Sequence, residues 1–221
     1  MNIRDARKKK RQEQVREEIL AAARRVLLAR GLPGLTLIAV ARELQLTKAA
    51  LYYYFASKEA LVFELIYLDL ASHAKVVGDA VANAASGAKA IEALIRVSSE
   101  HYGDRMDDLR LTYLAPQIGT VAATRFDSDM LARIRPFNDR MYGAVADKIH
   151  QDQLSGRVAQ SMDGRRLAFL AHTSVLGMLT VEGLVEVTDD AGLIHTREAM
   201  VDELVRVFTA RLENPTKEPH H

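Results

Sequence analysis

The sequence contains no cysteine and no tryptophan, and only five of its 221 residues are proline. The lack of cysteine excludes disulfide bonds, thiolate zinc sites and cysteine nucleophiles. Long hydrophobic runs are also missing, because the longest uncharged stretch, Leu167–Val181, has 15 residues whereas a membrane span needs about 20. No apolar segment follows the basic N-terminus, as it would in a secretory signal peptide. We therefore expect a cytoplasmic protein without membrane contact.

The charges are distributed unevenly along the chain. The whole sequence has a formal net charge of +1. Residues 1–60 contain 13 Lys and Arg against 6 Asp and Glu, a net charge of +7, and the remainder carries −6. A basic segment attached to an acidic one indicates that a polyanion binds at one end of the protein.

Strand signals are rare, whereas apolar residues recur at three- and four-residue spacing, so the sequence predicts an all-α protein of about nine helices. The first helix is predicted over 13–30 and ends at Gly31. Thr36, Thr47 and Ser57 are predicted caps of the next three helices, the first two of which are short. Residues 83–90 are predicted to be a loop. Further helices are expected near 88–102, 105–118, 128–150, 163–187 and 196–212, with Pro116 and Pro136 as kinks or breaks.

The segment from Thr36 to Leu61 contains the most informative pattern. Thr47 offers a hydroxyl and free backbone N–H groups at a helix N-terminus, which suit a phosphate. The next three residues, Lys48, Ala49 and Ala50, occupy the first turn, the part of a recognition helix that meets base edges. Lys58 lies beside the next helix N-terminus, where it would pair with a phosphate. Each feature has an ordinary structural explanation, and it is their joint spacing that favours DNA binding.

These residues closely resemble the DNA-binding domain of the TetR/AcrR family of transcriptional regulators over roughly residues 15–65. The matching residues are Ile19-Leu20, Ala22-Ala23, Gly31, Thr36, Val40-Ala41, Thr47, Leu51-Tyr52, Phe55 and Ser57-Lys58-Glu59-Ala60-Leu61. The resemblance implies a three-helix helix-turn-helix domain in 1–60 with a basic N-terminal arm. It also implies a helical effector-binding and dimerisation domain in 61–213, followed by a tail, 214–221.

The resemblance also implies roles for individual residues of the first domain. Phosphate contacts are expected from Thr36, Thr47, Tyr52, Tyr54 and Lys58, and major-groove contacts from Lys48, Ala49, Ala50 and Tyr53. The basic arm from Arg4 to Arg11 would follow the DNA backbone or enter a minor groove.

Three positions depart from the family pattern. Gln45 stands where glycine is favoured, so it takes a left-handed conformation or the turn differs. Ala49 replaces a common glycine, and Tyr54 replaces a frequent histidine. None of these changes abolishes DNA binding, but they leave the operator sequence open.

For the rest of the chain, the resemblance implies a homodimer formed through the helices near 163–187 and 196–212, and an effector cavity within the middle helices. A plain hydrophobic core explains the same residue pattern. The candidate lining residues are Tyr102, Met106, Tyr113, Phe126, Met130, Phe137, Met141, Phe169, His172 and Leu176.

We therefore predict a regulator, a repressor that a small molecule releases from a palindromic double-stranded DNA operator. One alternative is a DNA-associated protein of the same fold without an inducer, and another is a helical small-molecule binding protein. No enzymatic motif is found, and no cofactor is expected. No metal site is expected either, because His195 and Glu198 have no third ligand nearby.

Overall fold

The computed structural model describes residues 3–114, 128–182 and 195–213, and this part of the chain is all-α, without a strand. It contains nine α-helices of seven residues or more and the four-residue α6. The helices are α1 (Ile3–Gly34), α2 (Leu37–Glu43), α3 (Lys48–Tyr54), α4 (Lys58–Ala82), α5 (Gly87–Gly103), α6 (Met106–Leu109), α7 (Ser128–Asn138), α8 (Ala144–Leu154), α9 (Gly164–Glu182) and α10 (Arg197–Glu213). The predicted all-α class is thus confirmed.

Single turns of π-helix extend two of these elements. One follows α6 at Arg110–Leu114, and the other, Asp139–Gly143, joins α7 to α8. Pro136 lies inside α7, two residues before α7 ends. Proline has no N–H to donate to the carbonyl four residues earlier, yet the helix continues through Pro136 and into the π-helical turn, so it does not break there. Pro116 lies outside the described residues.

The described chain forms two compact units, and the boundary between them falls after Leu68, within α4. The sequence placed the domain boundary after residue 60. The assignment of 1–60 to DNA binding and of 61–213 to effector binding and dimerisation remains a prediction. None of the described helices combines the length and the apolar character that a membrane span requires.

In the first unit, α1 begins at Ile3, ten residues before the predicted start at Glu13, so the basic segment expected as an arm is helical. Lysine, arginine, glutamine and glutamate are good helix formers, which explains the early start. The helix has non-helical geometry at Gly31, where φ is 65°. Glycine adopts positive φ without steric cost, so the predicted end of the regular helix at Gly31 is correct.

The core of the first unit consists of apolar side chains from α1 to α4. Its buried members include Ile19, Ala22, Ala23, Val26, Leu35, Leu37, Val40, Ala41, Leu51, Phe55, Leu61, Val62 and Phe63. Arg16 closes one side of this core: its guanidinium lies 5.1 Å from the centre of the Phe55 ring and 2.9 Å from the buried Glu64 carboxylate. This contact joins α1 to both α3 and α4.

Side-chain caps fix where the short helices begin. The Thr36 hydroxyl oxygen accepts a hydrogen bond from Ala39 N–H at 3.0 Å, and the Thr47 hydroxyl accepts one from Ala50 N–H at 3.1 Å. Ser57 does the same for Ala60 at 3.2 Å. Each cap satisfies a backbone donor that the first helical turn leaves unpaired. All three predicted caps are confirmed.

The turn between α2 and α3 depends on Gln45, whose φ is 55°. The chain reverses here with Gln45 N–H donating to Arg42 O and Leu46 N–H donating to Ala41 O at 2.8 Å. A side chain with a Cβ pays a steric cost in this left-handed region. Of the two alternatives that the sequence left open for Gln45, the left-handed conformation is the one observed.

The core of the second unit surrounds α5. This helix packs against α8, α9 and α10. Its apolar stripe, with Ile91, Leu94 and Ile95, is fully buried. The remaining members include Val77, Val81, Leu109, Met141, Val145, Ile149, Ala168, Ala171, Val175, Leu179 and Val201.

The loop before α5 is shorter than predicted, because α5 begins at Gly87. The Gly87 N–H donates to the buried Asp152 carboxylate at 2.7 Å, and Ile149 packs so closely that a Cβ at position 87 would lie 2.6 Å from it. This close approach of α8 requires glycine and fixes the start of the helix.

We predict that Gln45→Gly raises the free energy of unfolding by up to about 1 kcal/mol, because glycine adopts the observed φ without the Cβ clash. Urea unfolding of the full chain measures this change. The matched control is Gln151→Gly in the exposed face of α8, which should lower stability by about 1 kcal/mol. Equal destabilisation by both substitutions would contradict the strain at Gln45.

Candidate nucleic-acid interface and effector site

The N-terminus of α3 presents an exposed surface suited to DNA. Thr47, Lys48 and Ala49 are exposed, and Ala50 is half-buried. Leu51 and Phe55 face inward and anchor the helix in the core. The Thr47 oxygen accepts the capping bond, which leaves its hydroxyl hydrogen available as a donor. No acidic residue occurs in α3, so the surface combines unpaired backbone N–H groups with a cation.

The three tyrosines of α3 occupy different environments. Tyr53 is 70% exposed and Tyr52 is 45% exposed, whereas Tyr54 is half-buried. The Lys48 ammonium lies 5.5 Å from the centre of the Tyr52 ring, which holds the lysine against the helix surface. The Tyr53 and Tyr54 rings meet edge to face at 5.2 Å. The exposed rings of Tyr52 and Tyr53, each with a hydroxyl group, thus lie on the same helix as Lys48.

Lys58 has a partner inside the protein, because its ammonium donates to the Leu32 carbonyl at 2.6 Å. This bond ties the start of α4 to the turn at the end of α1. A phosphate contact by Lys58 would use its remaining N–H groups. Thr36, the other predicted phosphate ligand away from α3, is exposed at the start of α2.

The basic part of α1 is joined to α3. The Gln12 side-chain amide donates to the Tyr53 hydroxyl at 2.9 Å. The cations at positions 7–11 lie within the five residues before Gln12 and are exposed. They form one positively charged end of the first unit, adjoining the α3 surface.

A buried carboxylate organises a polar cluster in the second unit. Asp69 accepts hydrogen bonds from the Tyr102 hydroxyl at 3.0 Å, from the Thr112 hydroxyl at 2.7 Å and from the Arg105 guanidinium at 3.5 Å. Arg105 also donates to Asp108 at 2.8 Å. Burial works to raise the pKa of Asp69, but the nearby His101 ring and the hydrogen bonds from the Thr112 and Tyr102 hydroxyls lower it below its usual value. The carboxylate is therefore ionised and fully engaged.

Two buried histidines lie beside this cluster. The His73 and His172 rings are stacked with their centres 5.1 Å apart. His73 Nε2 is hydrogen-bonded to the Ser98 hydroxyl at 3.0 Å, and His172 Nδ1 to the Tyr142 hydroxyl at 2.7 Å. The other nitrogen of each ring, His73 Nδ1 and His172 Nε2, has no hydrogen-bond partner among the described residues.

Burial sets the protonation state of these groups. It lowers the pKa of His172 to about 4 and holds the pKa of His73 well below its ordinary value, where His172, His101 and Arg105 act in the same direction. Burial also raises the pKa of Tyr142 to about 12 and raises those of Tyr102 and Tyr113. At neutral pH, the two imidazoles and the three phenols are all uncharged.

Several predicted effector residues meet at this site. Tyr113 lies edge-on to both Tyr102 and His172, with ring centres 5.9 and 6.2 Å apart. The remaining predicted residues spread through and around the core. Met141 is buried, Met106, Phe137 and Leu176 pack against the core, and Met130 is half-buried. Phe169 is 51% exposed, with its ring against Tyr142, and Phe126 lies outside the described residues.

An open polar cleft of about 470 Å³ also occurs in the second unit, between α5 and α10. None of the predicted effector residues lines it. Its two arginines are engaged with carboxylates: Arg96 with Asp202 at 2.7 Å and Arg197 with Glu182 at 2.7 Å. In the described ranges, no group of three or more His, Asp or Glu side chains is placed to hold a metal ion.

Asp69, His73, Ser98, Thr112 and Tyr142 were not among the residues predicted from the sequence. A signal existed for Asp69 and His73, since they are four residues apart in a largely apolar stretch of α4 and so share one face. Ser98 and Tyr102 have the same spacing on α5. Polar residues repeated at helical spacing inside an apolar stripe indicate a buried polar site, although not its partners.

We predict that the free energy of unfolding falls as the pH is lowered from 6.5 towards 4. In the unfolded chain His73 and His172 take up protons below about pH 6.5, whereas their lowered folded-state pKa values prevent this in the native protein. Each histidine then contributes a slope of about 1.4 kcal/mol per pH unit. Urea unfolding at a series of pH values measures the slope.

The variant His172→Phe should reduce the slope by the contribution of one histidine, about 1.4 kcal/mol per pH unit, whatever its effect on absolute stability. Because the exposed His150 side chain stays in water in the folded protein, His150→Gln is the matched control. A stability that is constant across this pH range would show that the buried imidazoles are not held neutral.

The sequence profile of bacterial regulatory proteins of the tetR family matches residues 19–65, which span α2, α3 and parts of α1 and α4. Among curated proteins, none matches the chain significantly. Solved structures of the same fold include the fatty acid degradation regulator FadR from Bacillus halodurans. It has a TM-score of 0.64 and 13% identity, covering 87% of this chain and 93% of that chain.

Two further solved structures have the same fold. The TetR family transcriptional regulator PfmR from Thermus thermophilus has a TM-score of 0.60 and 15% identity, covering 90% of this chain and 99% of that one. AibR, solved in complex with isovaleryl coenzyme A and operator DNA, has a TM-score of 0.58 and 21% identity, covering 87% and 96%. Residues 19–65 therefore match the tetR-family profile, and the chain has the fold of these solved regulators.

Proposed function

We propose that this protein is a cytoplasmic transcriptional repressor that binds a palindromic operator as a homodimer and is released by a small-molecule effector. DNA binding is assigned to residues 1–60, and effector binding and dimerisation to 61–213. This function needs no catalytic residue.

The observation that carries the proposal is the surface at the start of α3. Its first turn is exposed and holds Lys48, the Thr47 cap adds a hydroxyl donor, and the adjoining end of α1 is basic. Phosphates bind at such helix N-termini, and residues of the first turn reach base edges in the major groove. The net charge of +7 on residues 1–60 supplies the electrostatic attraction.

The effector role is supported by the buried polar cluster and by one relative. AibR, which has the same fold, was solved with both isovaleryl coenzyme A and operator DNA. In the present chain, α4 contains residues of both units, so it is a covalent path from the cluster to the DNA-binding helices. A coupling of about 1–3 kcal/mol between effector and operator is typical of such proteins.

DNA binding is tested by fluorescence anisotropy of the full chain on a duplex from the region upstream of its own gene. We predict that the logarithm of the affinity falls by about 0.9 for each phosphate contacted per tenfold increase in salt. A duplex of scrambled sequence is the control. Binding without sequence preference or salt dependence would contradict the regulator, whereas specific binding that no effector relieves would favour a DNA-associated protein without an inducer.

Lys48→Ala should weaken operator binding and change the preferred base at one position of each half-site, by about 1–3 kcal/mol of discrimination. Selection from a randomised duplex library measures the preference.

Lys58→Ala should weaken binding equally on all sequences, and thermal unfolding should show the loss of the hydrogen bond from Lys58 to the Leu32 carbonyl. The exposed Lys75, which pairs with Asp79 in the second unit, is the control, and Lys75→Ala should change neither property. A uniform loss for Lys48→Ala would refute its groove-facing role.

The homodimer is supported by apolar side chains exposed on α9 and α10, the helices predicted to form it. Leu170 and Val181 lie three helical turns apart on α9, together with the exposed Gly177 between them. On α10, Met200 and Val207 are exposed and two turns apart. Small and apolar residues on one face allow two helices to approach closely, and a two-fold dimer would match a palindromic operator.

Leu170→Glu should convert the dimer to a monomer, because the charge would be buried without a partner in the interface. Sedimentation velocity measures the oligomeric state, and operator affinity should fall with it. Leu154 is 72% exposed at the end of α8, outside the proposed interface, so Leu154→Glu is the matched control. A dimer that persists in Leu170→Glu would refute this interface.

A further inference from the structure

The stacked histidines of the second unit are its least satisfied polar groups. His73 and His172 are 0% and 1% exposed, and each ring uses one nitrogen for a hydroxyl while the other has no partner among the described residues. Leaving a buried polar atom unpaired costs about 1–3 kcal/mol. The two unpaired nitrogens lie on stacked rings, so a polar partner at this one place is needed to complete the hydrogen bonding of both histidines.

The neighbouring charged groups are already committed to each other. Asp69 accepts bonds from Tyr102, Thr112 and Arg105, and Arg105 also pairs with Asp108. A charged ligand group would meet two uncharged imidazoles, and a buried charge without a counter-charge is strongly disfavoured. The site therefore favours an uncharged group.

The hydroxyl partners make the histidine pair adaptable. Ser98 and Tyr142 can each donate or accept a hydrogen bond, so each imidazole can adopt either neutral tautomer. The free nitrogen of each ring can then present an N–H or a lone pair. A ligand hydroxyl, which both donates and accepts, can satisfy the two rings together, and a carbonyl can accept from either.

Aromatic rings surround the pair. The Tyr102 ring centre lies 4.8 Å from that of His73, and Tyr113 and Tyr142 lie 6.2 and 5.7 Å from that of His172. These faces suit an apolar or aromatic body attached to the polar group.

We propose that His73 and His172 together bind the hydroxyl or carbonyl group of an uncharged apolar or aromatic effector. The effector role rests on the proposed function, whereas the binding site does not. The sequence predicted three residues of this site: Tyr102, Tyr113 and His172. The structure adds His73, Ser98 and Tyr142.

The test uses phenol, benzoate and benzylammonium, three probes that share one ring and differ in the charge of the attached group. Imidazole ¹⁵N resonances of the full chain are followed at pH 7. Phenol should shift the ring nitrogens of His73 and His172 saturably, while those of the exposed His150 and His195 stay unchanged. The charged probes should bind at least roughly tenfold more weakly, equivalent to about 1.4 kcal/mol. Equal or tighter binding of a charged probe, or no shift with phenol, would overturn the proposal.

Variants locate the site. His73→Phe and His172→Phe keep a ring of similar volume and should each weaken phenol binding by roughly tenfold, the usual effect of losing one good hydrogen bond. Tyr142→Phe is the milder change: it keeps the ring and removes only the hydroxyl, so it should alter the ¹⁵N tautomer signature of His172 and weaken phenol binding. His150→Phe is the control. Unchanged phenol affinity in folded Tyr142→Phe and His73→Phe would place binding elsewhere and refute the site.

DNA binding is measured on the same samples to separate the two proposals. Phenol that binds at the histidine pair and lowers operator affinity supports both. Phenol that binds there without altering operator affinity supports the site and contradicts its effector role. If the protein fails to bind DNA specifically, the proposed function fails, while the ¹⁵N result still decides the site.

Discussion

Every polar group that folding removes from water needs a partner inside the chain, and both units are built around this constraint. In the first unit, the hydroxyls of Thr36, Thr47 and Ser57 satisfy the free N–H groups that begin α2, α3 and α4. In the second, Asp69 collects bonds from α5, from the segment after α5 and from the π-helical turn. The caps set the direction of the helix expected to meet DNA, and the carboxylate fixes the residues around the proposed effector site.

Two places where hydrogen bonding within the protein is incomplete coincide with the surfaces expected to bind other molecules. The N-terminus of α3 leaves backbone donors facing solvent, where a phosphate can accept from them. His73 and His172 leave one nitrogen each inside the second unit. Both are places where the protein alone does not complete the hydrogen bonding. The uneven charge follows the same division, because the positive charge lies with the segment expected to bind a polyanion.

The sequence predicted the features that depend on local interactions. The caps at Thr36 and Thr47 and the left-handed Gln45 follow from residues within a few positions of each other. The early start of α1 was missed because its charged residues read as a solvated arm, although they favour a helix. The helix also continues past Pro136, through a wider turn that local rules did not indicate. The contact of Gly87 with Asp152 and the stacking of His73 on His172 join residues 65 and 99 positions apart, so only the packed fold brings them together.

The central claim is that two copies of the α3 surface read one operator. A hydroxyl-radical footprint of the full chain on the selected duplex tests this most directly. We expect two equivalent protected patches on one side of the DNA, related by two-fold symmetry, with half-site centres about 34–36 Å or a multiple of that distance apart. A single patch, or uniform protection along the duplex, would contradict this claim.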